Sequence, residues 1–220
     1  VETIAPHLTQ AGTYDSVTVS GPDAQTYLQS QISQEIRDLE VGGTRWTFLL
    51  EPTGKVEVLA RVVRVDDETF RLETDPGFGE ALLARVNRFK IRVKADTVLT
   101  LADQPIAAEA ESRRVQAGWP RMGVEIESGT TIPAETGVTP LAVNFKKGCY
   151  PGQELVERMD SRGAAAPRSL CRLQVADGSA PGDPILIDGT EVGHLTSVDG
   201  TTALGYVKRS AEVGERISFA

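Results

Sequence analysis

The chain has 220 residues, 40% of them hydrophobic and 25% charged, enough to bury one large core or two small ones. Its 31 acidic residues outnumber 23 basic ones, and the net charge of −8 argues against stable nucleic-acid binding, which needs a basic surface. Two cysteines and two histidines exclude a disulfide framework and leave little for a zinc site, and no apolar run reaches membrane-spanning length. The N-terminus has no basic-then-apolar leader pattern, so the expected setting is reducing and cytoplasmic, with no membrane partner.

Residues 16–20 alternate as a strand, and Gly21-Pro22-Asp23 turns the chain into a helix over 24–32. Ser20 and Asp23, three apart, fit a capping box, and proline suits a first helical turn. Residues 45–50, 56–65 and 69–73 read as strands divided by Pro52-Thr53-Gly54 and Asp66-Asp67-Glu68, which predicts a β-meander. The stretch 78–89 places Leu82, Leu83, Val86 and Phe89 at helical spacing, and 91–101 returns to strand. This mixture is an α+β pattern. The region 103–163 is rich in Gly, Pro and Thr and reads as loops carrying short helices.

From Ser169 the texture changes to short strands at 170–175, 184–187, 191–198, 202–207 and 217–219, some of them separated by Asp188-Gly189 and Asp199-Gly200 hairpin signals. The expected organisation is therefore an N-terminal antiparallel sheet-and-helix region over 1–163 and a small C-terminal antiparallel β-barrel over 168–220. The boundary falls at Gly163-Ala164-Ala165-Ala166-Pro167.

The chemistry concentrates in Lys147-Gly148-Cys149-Tyr150-Pro151-Gly152-Gln153-Glu154. Gly148, Pro151 and Gly152 shape a turn around Cys149, and a short helix begins at Gln153. A thiol there meets two lysines and the positive end of a helix dipole, which favour the reactive thiolate over a merely buried cysteine. Cys171 alternates with apolar neighbours and reads as core. Neither His7 nor His194 completes a nucleophile triad, and no phosphate-cradling glycine motif is present. Glu154 fits a ligand contact or a first-turn acid that stabilises its own helix. Arg85, Arg88, Lys90, Arg92 and Lys94 form a solvated face or an anion-binding groove.

The octapeptide 147–154 resembles the signature of the YgfZ family, relatives of the glycine-cleavage T-protein (aminomethyltransferase). Gly21-x-Asp23-Ala24-x-x-Tyr27-Leu28-Gln29-x-Gln31 resembles that family's first helix, and Arg114-Val115-Gln116-Ala117-Gly118-Trp119-Pro120 its R-[IL]-E-A-G-x-P segment. Ile132-Pro133-x-Glu135 also precedes the signature as in relatives. Two departures matter. Gly54-Lys55-Val56-Glu57-Val58 lacks the aspartate pair of the T-protein, whose signature also carries aspartate where this chain has Cys149. Gln116 replaces a glutamate that would grip a pterin, and an amide reproduces only half of a carboxylate's pairing with an aminopyrimidine edge.

The resemblance implies tetrahydrofolate or a derivative as cofactor, with Gln116, Arg114, Lys147, Tyr150, Gln153 and Glu154 in the folate site or signature loop. It also implies iron–sulfur client or assembly proteins as partners, including tRNA-modifying enzymes, and Cys149 as the reactive thiol. A folate-dependent one-carbon transferase is the alternative, weakened by the missing acidic pair. A noncatalytic interaction module is a third reading.

Overall fold

The computed structural model describes residues 10–161 and 166–219. His7 and most of the expected boundary at 163–167 lie outside the described residues.

The first antiparallel sheet has the order β2-β3-β4-β1-β5, formed by Thr44–Leu50, Val56–Arg64, Thr69–Thr74, Asp15–Ser20 and Asp96–Thr100. The expected meander is β2-β3-β4. Alternation explains one face: Val17, Val19, Ala60, Val62, Phe70 and Leu72 pack against Leu28 and Ile32 at helix α1 (Ala24–Gln31) and Leu82 and Val86 of α2 (Gly79–Asn87). At the β2–β3 end the other face is covered too, with Trp46, Phe48, Leu50 and Leu59 against Trp119, Met122, Ile126 and Tyr150. Burial on both sides accounts for the unbroken apolar run Phe48-Leu49-Leu50.

Three local expectations are corrected. The Asp23 side chain makes no cap bond to α1; its carboxylate instead accepts the Lys94 N–H at 2.8 Å. Residues 91–95 are not strand, because β1 offers β5 partners only from Asp96, opposite Ser20, to Thr100, opposite Ser16. Likewise the last strand is the two-residue β10 (Glu215–Arg216), and 217–219 run on as irregular chain.

The middle region contains α3 (Ala108–Ala117), a 3-10 turn at Pro133–Glu135, α4 (Thr139–Ala142) and α5 (Gln153–Ser161). The second sheet follows, in the order β10-β6-β9-β8-β7, with β6 at Arg168–Gln174, β7 at Pro184–Ile187, β8 at Thr190–Asp199 and β9 at Thr202–Lys208. Asp188 and Gly189 both have positive φ, the conformation a tight two-residue hairpin requires. β7 and β10 are edges, and among the described residues no ladder joins them, so the expected closed barrel is an open antiparallel sheet here. Val115 of α3 packs with Leu170, Leu204 and Tyr206, which seats this sheet on the middle region.

Candidate functional site

The signature loop is built against the turn of the β2–β3 hairpin. Glu51 and Lys55 close that turn, and Gly54 adopts φ +85° within it. Gly152, at φ +82°, faces it so closely that a Cβ there would collide with the Glu51 carbonyl oxygen and Leu50. A Cβ on Gly54 would strike Leu155 of α5. Both positions therefore require glycine for backbone approach as well as for dihedral freedom. Tyr150 N–H donates to Gln153 Oε1 at 2.8 Å, and Gln153 N–H returns to Tyr150 O at 3.3 Å, fixing the entry into α5.

Lys147 is part of the same framework. Its Nζ donates to the carbonyls of Gln29 (2.6 Å), Ile32 (2.5 Å) and Gln34 (3.2 Å), so all three ammonium protons serve the end of α1. Burial pulls its pKa down to about 8, against the opposing field of Glu35. The ammonium also lies 5.2 Å from the Tyr150 ring centroid, and burial pushes the Tyr150 hydroxyl up to about 12. The lysine expected to bias Cys149 is thus engaged by α1. Glu154 pairs with Arg158 one helical turn on, the self-stabilising role.

Within this framework Cys149 is exposed, whereas Cys171 is buried on β6. The Cys171 thiol donates to Ser169 O, and burial raises its pKa. His194 is exposed on β8, opposite Tyr206 on β9.

Arg114 and Gln116 have other commitments. Arg114 is fully buried and uses all five N–H donors: Nε and Nη2 on Glu111, Nη1 on Trp119 O and Glu125, and Nη2 also on Ser197 Oγ. No Arg114 donor is left unengaged in this arrangement. Gln116 is exposed, and its Nε2 donates to Asp199 Oδ2 at 2.7 Å.

The basic run is equally divided. Arg85 is fully buried, donating to Leu50 O and to both the side chain and carbonyl of Gln31. Desolvation lowers its pKa. Arg88 grips Glu57 through two bonds, of 2.8 and 2.5 Å. Glu57, the acid in the segment without the aspartate pair, is therefore ion-paired with Arg88. Sequence reasoning missed that Lys147 and Arg85 hold the end of α1 from two sides; a cation in sequence carries no signal of which carbonyl it will reach.

A cavity of about 610 Å³ lies beside α5, lined mainly by apolar side chains such as Ile132, Val143, Phe145, Leu155, Met159 and Ile217. Thr139 Oγ1, on its wall, is buried without a hydrogen-bond partner.

No family model matches the chain. It is 24% identical over 236 residues to the mitochondrial iron–sulfur cluster assembly factor IBA57 homolog of Neurospora crassa, covering 76% of this chain and 54% of that protein. It is 38% identical over 86 residues to the tRNA-modifying protein YgfZ of Escherichia fergusonii, covering 35% of this chain and 26% of that one. The chain thus spans about half or less of the length of these two relatives. The glycine cleavage system aminomethyltransferase T of Bartonella henselae shares the fold: TM-score 0.75, 17% identity, 92% of this chain and 78% of that chain covered.

Proposed function

This chain is a YgfZ-type relative of the aminomethyltransferase T-protein, and from that kinship we propose that it is an accessory protein for iron–sulfur cluster assembly or repair in client enzymes, tRNA-modifying enzymes among them. The observation that carries the reading is an exposed thiol, Cys149, on a loop held by Lys147 and by the Gly54–Gly152 contact. One thiolate cannot hold a four-cysteine cluster, so Cys149 acts transiently or completes a ligand set supplied by the partner. In this reading the thiol belongs to a region over 1–163, followed by a second unit over 168–220, and the cytoplasm is the proposed compartment.

Tetrahydrofolate enters through kinship with the aminomethyltransferase. Of the expected residues, Arg114 and Lys147 have every donor engaged within the protein, and Gln116 is exposed with its Nε2 on Asp199. Glu57, gripped by Arg88, also disfavours aminomethyl transfer.

The test is complementation. Cys149→Ser, nearly isosteric in an exposed loop, should fold normally yet fail to restore iron–sulfur enzyme activity in cells lacking the native protein, since a serine hydroxyl stays protonated at neutral pH. Full rescue by the folded serine variant would sink the proposal. Calorimetric titration with tetrahydrofolate tests the cofactor separately.

A further inference from the structure

The connection between α2 and β5 is Arg88-Phe89-Lys90-Ile91-Arg92-Val93-Lys94-Ala95. It holds four cations and no acid, in a chain whose net charge is −8. Ile91 is 78% exposed and Phe89 40%, although both are large and apolar. Among the described residues no ion pair engages Lys90, Arg92 or Lys94. The segment is nonetheless held in shape. Arg88 is fixed to Glu57, Lys94 N–H to the Asp23 carboxylate, and Ile91 N–H to Phe89 O. Arg92 adopts φ +57°, a left-handed conformation that L-residues avoid and that persists only when surroundings impose it.

This segment and the Cys149 loop attach to the same end of the β2–β3 hairpin. Glu57, which anchors Arg88, lies one residue into β3, and the turn before it seats Gly152. Resting on the accessory-protein reading above, we propose that residues 88–94 are the docking surface for an acidic segment, carrying apolar side chains, of the protein that Cys149 serves.

Charge range selects a polypeptide over the other anionic partners. Screening confines the local cationic field to about 8 Å at physiological salt, within reach of a short peptide. Duplex DNA or an anionic bilayer extends well beyond the patch and meets the negative remainder of the chain. Exposed Phe89 and Ile91 also call for apolar contacts that a phosphate backbone lacks.

The test uses the full chain and a short fluorescent peptide alternating Glu with Leu and Phe, followed by anisotropy. The comparison variants are Ile91→Ser and the double change Lys90→Glu with Arg92→Glu, each verified as folded. Saturable binding is expected, weakened about tenfold or more by either variant and by added salt. Amide shifts should centre on 88–94. Absence of binding, binding undiminished in both variants, or shifts centred elsewhere would overturn the proposal. So would tighter binding of duplex DNA or phosphatidylserine vesicles with the same dependence on the variants. Cys149→Ser should bind the peptide as the wild type does. Rescue of cells by that variant would therefore remove the thiol role and leave docking standing, while loss of peptide binding removes docking alone.

Discussion

At position 149 the thiol meets solvent, and at 171 it is packed among Leu173, Ile185 and Val207, with its pKa raised by burial. Limited alkylation of the native protein followed by peptide mapping should label Cys149 first, since the exposed thiol is more accessible and the buried one gives less thiolate. Preferential labelling of Cys171 would contradict the geometry. The position of Cys149 in a loop outside strands and helices was legible in sequence, because glycine and proline around it exclude a strand or helix interior. The commitment of Lys147 was not. Its acceptors lie more than a hundred positions earlier, at Gln29, Ile32 and Gln34, and adjacency to Cys149 suggested a different electrostatic partner.

Among the elements, the hairpin turn and the signature turn form one unit through two glycines. Gly152→Ala places a Cβ against the Glu51 carbonyl and Leu50 while forcing a left-handed alanine. The left-handed conformation costs about 1–2 kcal/mol and overpacking about 1–3, so the variant should lose about 2–5 kcal/mol in urea unfolding. Gly148→Ala is the contrast. It lies four residues earlier in the same signature with open space around it, and should stay within about 0.5 kcal/mol of wild type. Equal effects at both positions would show that the signature glycines serve chain flexibility rather than close approach. Helices and strands were mostly readable because apolar periodicity reports which face is buried. The expected strand at 91–101 shrank to Asp96–Thr100 because pairing depends on the partner's length, which local pattern does not encode.

Across the whole molecule, Arg114 ties the middle region to the second sheet. It pairs with fully buried Glu125, which in turn accepts from Ser197 and Thr196 of β8, and Tyr206 of β9 donates to the Glu125 carbonyl. Arg114→Met keeps the apolar stem but leaves the Glu125 carboxylate buried without its cation, a change that costs about 3–5 kcal/mol in comparable pairs. Tryptophan fluorescence, through Trp46 and Trp119 in the shared core, should report a correspondingly lower unfolding midpoint. A loss below about 1 kcal/mol would mean that the apolar contacts of Val115, Leu170 and Leu204 hold the two parts together alone. The sequence by itself determined the α+β class, the succession β1 to β9 with helices α1, α2 and α5, the hairpin at Asp188-Gly189 and the loop that carries Cys149, because these follow from local periodicity, turn chemistry and motif. Only the tertiary structure decided that Lys147 and Arg85 clasp α1, that Arg88 neutralises Glu57, that Arg114 is sealed in the core and that Gln116 faces Asp199. The physical reason is that a charged side chain is placed by whatever unpaired polar group folding brings within its reach, and chains of many residues separate the two partners before that happens.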